Sequence, residues 1–489
     1  MTLTERPPAD LWATGRHRAL SATRGQRWIP PAAGALVGAV VFALTSRSLV
    51  DDAYITLTYV KTLGLHGQWG MVEGLSSNTA TSPLNVLFVG GLTAVTRDAI
   101  AGLGVGMAVM FAAAGWWLTC IGRSIGARPW RAPIFGLAFL ATSPLLWSTV
   151  GLESYLAAVL LLGALAALLA RRPWWAGVAA GALVLTRPDL MVFGALAVLL
   201  CGRAWWKAAL TAVAVTVPWF AWSWYFLGSA VPDSLLLKAG STWGYWTYAT
   251  GPELWFATFP AAVVLSAIPA ALGVLALVVW PRPLLRVPML LGGGALAHAA
   301  LFMLVVTPPF HWYYAPAISG LGLLAALAAA RARGLTGTVT ALAGVGLTLV
   351  CAASVLNDGL PRDRAPIASN WASPAQYRAI ADSLPRRKTV QSPGEVGTLA
   401  YYYDCRGCRV IDGFADPALL HPLIQKRIDA AGALGKKLLR ANYHRFELLH
   451  GALPQRVDYT MPVWAIPADG APMVGSWGDG RGWTLRPPS

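Results

Sequence analysis

Long apolar runs separated by short polar turns recur along the chain. The clearest, Ala101 to Ile121, Leu152 to Ala170, Ala208 to Leu227 and Leu335 to Leu356, each approach the about 20 residues that a helix needs to cross about 30 Å of hydrocarbon. None alternates polar and apolar positions, so helices and not a barrel are expected to span. The pattern predicts about eleven spans: residues 29–48, 100–121, 132–148, 152–170, 173–186, 189–203, 207–227, 255–280, 287–307, 313–331 and 335–356. Leu84 to Thr96 is apolar but short. A crossing there would put Arg123, Arg128 and Arg131 on the wrong side, so it reads as an interfacial or re-entrant helix.

Composition identifies the solvent. Of 489 residues, 56% are hydrophobic and only 12% charged, whereas a soluble surface needs roughly a quarter charged residues. Lipid is therefore the expected environment. The net charge of +16 is spread over short loops and forms no basic face, which argues against a nucleic-acid partner and fits retention of Arg and Lys in cytoplasmic turns. Arg16, Arg18, Arg24 and Arg27 precede the first span, placing segment 1–28 in the cytoplasm and Asp51 outside. No small-residue cleavage site precedes Asp51, so the first span is expected to stay as an anchor.

The outer loop 51–99, the turn at Gly151–Glu153, the break at Arg187–Asp189, the loop 228–254, His311 and segment 357–489 then share the extracytoplasmic side. In 357–489, alternation at Lys388 to Gln391 and Arg409 to Ile411, with Pro and Gly punctuation, predicts a small α/β domain. The expected class is an all-α polytopic plasma-membrane protein, with residues 29–356 in the membrane and a C-terminal extracytoplasmic domain. Trp174, Trp175, Trp205 and Trp206 fall at span ends, as an interfacial belt requires.

Candidate chemistry gathers on the outer side. Asp51 and Asp52 are adjacent carboxylates just past the first span, followed by Tyr54, Lys61 and Glu73. Paired acids at a membrane surface suit a general base or a divalent metal such as Mg, Mn or Ca, or they are first-turn residues favoured by a helix dipole. Glu153 opens another span, where a dipole role competes with a site role. Arg187 and Asp189 flank Pro188 between two short apolar runs; such charges are usually functional, or they satisfy each other. Lys238, in an outer loop, calls for a local anion such as a phosphate, or snorkels to the interface. His311 and Tyr313 belong to an aromatic cluster suited to a phosphate or a sugar face, or to the belt alone. Cys405 and Cys408 are read as a local disulfide, while Cys120, Cys201 and Cys351 lie in apolar runs as small core residues.

Asp51-Asp52-Ala53-Tyr54-Ile55, Val72-Glu73-Gly74, Gly151-Leu152-Glu153, Arg187-Pro188-Asp189, the Pro232–Lys238 loop and Gly394-Glu395-Val396-Gly397 with Tyr401-Tyr402 form an ordered set. Together they resemble the polytopic GT-C glycosyltransferases, in particular actinobacterial arabinofuranosyltransferases of the AftB type. The resemblance implies transfer of a sugar, arabinofuranose in that type, from a polyprenyl-phosphate donor to a cell-envelope glycan acceptor outside. It also implies an acidic residue of the first outer loop at the reaction centre, with helices lying along the membrane there. Glu395 joins the candidate substrate-binding residues on this basis. Ser77 to Pro83 departs from the pattern, being longer and more polar than a Thr-Asn-Pro turn.

In such a reaction Asp51 or Asp52 takes the acceptor proton, and Lys238, Arg187 or His311 stabilises the leaving phosphate, with a metal able to share that task. No Gly-rich phosphate loop is present, so no nucleotide is expected. The competing reading is a transporter or flippase of a lipid-linked sugar, which would carry polar groups near the bilayer midplane.

Overall fold

The computed structural model describes residues 28–357, 362–392, 394–446, 449, 454–461, 471–473 and 482–487. The expected cytoplasmic segment lies, but for Trp28, outside the described residues. Among them, five helical stretches are long and apolar enough to cross a bilayer: Ala99–Ser124, Gly202–Leu227, Pro260–Val279, Arg286–Val305 and Gly334–Leu356. Seven shorter apolar helices, from Ile29–Thr45 to Ala315–Arg331, pack among them.

In chain order the helices are α1 (Ile29–Thr45), α2 (Asp51–His66), α3 (Pro83–Thr96), α4 (Ala99–Ser124), α5 (Arg131–Thr142), α6 (Ser154–Leu169), α7 (Pro173–Thr186), α8 (Met191–Leu199), α9 (Trp205–Leu227) and α10 (Asp233–Lys238). There follow α11 (Gly251–Thr258), α12 (Pro260–Val279), α13 (Gly294–Val305), α14 (Ala315–Arg331) and α15 (Gly334–Leu356). Starts are encoded locally. Pro occupies the first turn of α3, α7 and α12, where its missing N–H costs nothing. Asp98 caps α4 by accepting from Ala101 N at 2.7 Å. Large side chains on the periphery, such as Val278 (83% exposed) and Leu335 (81%), would strand apolar surface in water and mark the lipid-facing perimeter.

Several expected spans are interrupted. The stretch 132–148 breaks at Ser143, because Pro144 keeps the preceding residue extended and starts a separate turn, Pro144–Trp147. The stretch 189–203 is helical mainly over Met191–Leu199, with one-turn 3-10 segments at Pro188–Leu190 and Gly202–Ala204. Pro260 divides 255–280 between α11 and α12, and a π-helical turn, Met289–Gly293, precedes α13. Each break sits at a Pro, a Gly or a π-turn, the usual causes of a helix kink.

The loop 51–99 is largely helical. α2 and α3 pack on each other and α3 on α4, so Asp51 and Asp52 are the first two residues of a helix after all. The C-terminal segment carries α16 (Pro374–Ser383), β1 (Thr389–Gln391), α17 (Gly397–Tyr402), β2 (Arg409–Ile411), α18 (Pro417–Ala430), α19 (Ala433–Asn442) and β3 (Tyr459–Thr460). The strands form a parallel sheet in the order β2-β1-β3, with Val390 opposite Val410 and Tyr459. A two-stranded antiparallel pair, β4 (Ala471–Pro472) with β5 (Gly482–Trp483), forms a second sheet, and Arg486 just past β5 bridges to Thr460 of β3.

Candidate active site

The start of α2 faces two environments. Asp51 is buried, and its carboxylate accepts from Gly397 N at 3.1 Å, Thr398 N at 2.7 Å and Thr398 Oγ1 at 2.7 Å. These donors are the N-terminal turn of α17, where a helix presents free N–H groups to an anion. Only glycine fits at Gly397, since a Cβ there would overlap the Asp51 carbonyl and approach Ile55 N. Burial pushes the Asp51 carboxyl up to about 6, against the pull of the Thr398 donors. Asp51 is thus the anchor of the C-terminal segment on α2. Asp51→Ala is expected to loosen that segment at a cost of about 1–3 kcal/mol for the buried donors left unpaired. Faster limited proteolysis after Leu356, with the membrane helices intact, would report it.

One residue on, about 100° around the helix, Asp52 points into a cavity. The cavity, about 480 Å³, is lined by Asp52, Thr56, Thr79, Thr81, Ser82, Glu153, Arg187, Ser234, Lys238, Trp312, Tyr313 and Phe414, with Ile55, Ala80 and Leu152. Lys238 Nζ lies 3.2 Å from Asp52 Oδ1, and its ammonium stands 4.6 Å from the Phe310 ring centre and 5.7 Å from that of Trp312. Burial works against the Lys238 charge, but the Asp52 carboxylate and Tyr313 together outweigh it, and the pKa is raised.

Behind this pair sits a buried charge cluster. Arg187 donates through Nη1 to Glu153 Oε1 at 2.9 Å and through Nε to Asp189 Oδ1 at 2.8 Å. Asp189 Oδ2 in turn meets His298 Nε2 at 2.7 Å. The Tyr313 ring covers the guanidinium at 5.0 Å. Gly151, at φ +90, brings Glu153 close: a Cβ at Gly151 would come 2.8 Å from Ala53 Cβ on α2, so the glycine permits this turn to approach the acidic helix.

A second chamber of about 770 Å³ shares Thr81, Arg187, Ser234, Lys238 and Tyr313 with the first, and is otherwise walled by Pro188, Asp189, Met191, Leu235, Ala239, Leu301, Phe302, Val305 and Thr307. Met191 is 59% exposed and Val305 44%, so its apolar mouth opens on the lipid-facing perimeter. Arg187 and Lys238 therefore stand where a polar chamber meets an apolar one.

The polar segment Ser77–Pro83 holds these walls together. Tyr59 OH bonds Ser77 Oγ at 2.6 Å and Thr79 Oγ1 at 2.8 Å, and Thr79 Oγ1 donates to the Phe414 carbonyl at 2.6 Å. Asn78 Nδ2 donates to Ser229 Oγ at 3.0 Å, Ser229 Oγ to Asp233 Oδ1 at 2.7 Å, and Thr81 meets Ser234 at 3.0 Å. The segment thus ties α2 to α10, whose last residue is Lys238.

Of the residues singled out in the sequence, Asp52, Glu153, Arg187, Asp189, Lys238 and Tyr313 converge on the two chambers. Others do not. Tyr54 is buried, with its OH 3.1 Å from that of Tyr402. Lys61 pairs with Asp404 at 2.8 Å and donates to the Tyr401 carbonyl, and Glu395 accepts from Trp371 N and Tyr377 OH. These three knit the C-terminal segment to itself and to α2. Glu73 is exposed on a tight turn, with Val72 bridged to Leu75. Cys405 and Cys408 are disulfide-bonded, in a turn outside both chambers.

His311 lies next to the site but not in its lining; it is buried, with Nε2 3.3 Å from the Ser148 carbonyl. Burial lowers its pKa from 6.5 to about 4, against the Ser148 bond and the Asp52 charge, so it is neutral at physiological pH and supplies no cation for a phosphate. The unfolded chain takes this proton below 6.5 and the fold does not, so the stabilisation is complete above 6.5 and is lost as pH falls through 4. Wild type is expected to lose up to about 3 kcal/mol more than His311→Gln over that window. Thermal melts of both proteins at several pH values would show it.

Thr56, Phe414 and His298 were not visible as site residues in the sequence. Thr56 follows Asp52 by four positions and shares its helix face, a usable signal. A lone His within an apolar run was another; Phe414, from the distant C-terminal segment, offered none.

The donor set does not suit a metal at Asp51 and Asp52. One carboxylate is occupied by three protein donors and the other by a lysine, and among the described residues no three His, Cys, Asp or Glu converge.

No protein-family model and no curated sequence matches the chain. Among solved structures it is similar to ArnT from Cupriavidus metallidurans in the apo state, at 15% identity and a TM-score of 0.53, over 94% of this chain and 98% of that one. The same protein bound to undecaprenyl phosphate matches at 14% identity and 0.51, over 95% and 98%. The Archaeoglobus fulgidus oligosaccharyltransferase in its apo form is similar at 12% identity and 0.45, over 90% of this chain and 70% of that one. Over nearly its whole length, therefore, the chain has the fold of ArnT.

Proposed function

We propose that this protein transfers a sugar from a polyprenyl-phosphate donor to a glycan acceptor at the extracytoplasmic face of the plasma membrane. The observation that carries the reading is the pair of joined chambers with Arg187 and Lys238 at their junction. A polyprenyl-phosphate sugar has the same order of parts: an apolar chain, a phosphate and a polar sugar. The prenyl chain enters past Met191 and Val305, the phosphate rests between the two cations, and the sugar lies among Thr56, Thr79, Thr81, Ser82 and Ser234. The undecaprenyl phosphate bound to ArnT of the same fold supports a lipid phosphate as ligand. Arabinofuranose is the proposed sugar, on the motif resemblance to the AftB type.

Asp52 is the proposed general base. The acceptor oxygen attacks the anomeric carbon, the bond from that carbon to the phosphate oxygen breaks, and polyprenyl phosphate leaves with the electron pair. Asp52 takes the hydroxyl proton. Lys238 and Arg187 neutralise the charge that grows on the phosphate, in a site partly closed to water where such contacts act strongly. Lys238 is shared: an arriving phosphate draws its ammonium from Asp52 and frees the carboxylate to act as a base.

The test is transfer of radiolabelled sugar from synthetic polyprenyl-phosphate sugars to a glycan acceptor by the purified chain in detergent. Transfer without sealed vesicles supports an enzyme; movement of lipid-linked sugar across vesicles with no transfer in detergent would favour a flippase. Lys238→Met is expected to weaken donor use by roughly 10- to 100-fold, the worth of one hydrogen bond to a charged group, read as a rise in KM for the donor.

A further inference from the structure

The last turn of the spanning helix α9 and the loop just after it are tied to the C-terminal segment by polar contacts. Trp224 Nε1 donates to the Ala441 carbonyl at 2.9 Å, Arg445 Nε to the Tyr225 carbonyl at 3.1 Å, and Asn442 Oδ1 accepts from Ala230 N at 2.9 Å. The Arg445 guanidinium also lies 4.0 Å from the Tyr225 ring centre. Tyr225 and Phe226 are about half exposed, at the end of a membrane-spanning helix where an interfacial aromatic belt sits. These contacts fix the height of α19, which ends at Asn442, at the boundary between lipid and water.

α19 has the composition for that position. Leu439 packs inward on Leu420, Ile424, Tyr443 and Phe446. Leu434 and Leu438, one helical turn apart, are 72% and 63% exposed, an apolar stripe that no described residue covers. Lys437 is exposed next to that stripe and Arg440 is exposed farther round the helix, and Ala433–Asn442 contains no acid. A leucine stripe with a lysine along one side and a second cation farther round, on a short helix at membrane height, matches a surface that dips into the headgroup region.

We infer that α19 is a membrane-surface foot of the C-terminal segment: Leu434 and Leu438 insert into the leaflet at this end of the bundle, and Lys437 and Arg440 bind its anionic headgroups. The occupant is the bilayer itself, continuous with the lipid contacts of α9. The inference is independent of the transfer reaction. The packing of Leu236 and Leu237 of α10 against the same small cluster places the foot two helices from Lys238.

The test uses the full chain, with Cys120, Cys201 and Cys351 replaced by Ala, in nanodiscs of zwitterionic lipid with or without anionic lipid. Bimane is attached at Leu434→Cys or Leu438→Cys, and for comparison at Asp382→Cys on exposed α16. Doxyl-labelled lipid, with the label just below the headgroup, is the quencher. At least about twofold stronger quenching at 434 and 438 than at 382 is expected for an inserted face, deepening with anionic lipid. Lys437→Glu with Arg440→Glu should remove the deepening. Quenching equal to that at 382 overturns the foot, as does protection of the probe that depends on protein concentration and not on lipid, since a second copy would then cover the stripe. Quenching insensitive to both lipid charge and the charge reversal overturns the headgroup contact.

Discussion

Asp52→Asn is expected to lower sugar transfer by roughly 100- to 10,000-fold, the usual worth of a positioned general base, with donor binding nearly unchanged. The substitution keeps the side-chain shape and an oxygen able to accept from Lys238, and removes only the ability to take a proton. Its neighbour provides the control. Asp51 lies against Gly397 and Thr398, so Asp51→Asn should affect protease sensitivity of the C-terminal segment first and transfer second. Steady-state kinetics of both variants separate the roles. Equal losses in kcat, with equal proteolysis, would mean that the two carboxylates work as a unit.

Arg187→Met carries the second large effect, and in two quantities. Glu153 and Asp189 are buried on either side of the guanidinium, and removing one partner of a buried ion cluster typically costs about 3–5 kcal/mol because the remaining charges lose their compensation. The thermal midpoint of the detergent-solubilised protein should fall accordingly. Transfer should fall too, through loss of the phosphate contact. Arg187→Met with Glu153→Gln separates the two: easing the charge imbalance should restore part of the stability while transfer stays low. Recovery of transfer together with stability would make Arg187 a structural residue alone.

Much of the membrane architecture was legible because its physical basis is local. The apolar runs at 100–121, 173–186, 207–227 and 335–356 correspond closely to helices, and Leu84 to Thr96 falls in a separate fourteen-residue helix. The interruptions at Ser143 and Phe259 were missed although Pro144 and Pro260 were in view, because hydropathy averages across such residues and hides them.

The site divides differently. Residues at breaks in the apolar pattern, namely Glu153, Arg187, Asp189 and Lys238, stood out because charge near a membrane is costly unless it is used or paired. What separates Asp51 from Asp52 was not legible. Two neighbours on a helix differ only in direction, and the partner that claims Asp51 comes from Gly397 and Thr398, more than three hundred residues along the chain. Lys61 and Glu395 show the same limit from the other side: their charges stood out, but partners in the C-terminal segment take them away from the cavity. His298 announced itself only as a lone imidazole in an apolar helix, and its carboxylate partner lies across the bundle in Asp189.

In the proposed reaction the phosphate at the chamber junction leaves as the sugar is transferred from it, with Asp52 as base. The most direct measurement is simultaneous quantification of sugar transferred and polyprenyl phosphate released by the purified chain in detergent, for wild type and Asp52→Asn. Wild type is expected to give equal moles of the two products, and Asp52→Asn near loss of both with donor still bound. Full transfer by Asp52→Asn, or polyprenyl phosphate release that does not track transfer, would contradict it.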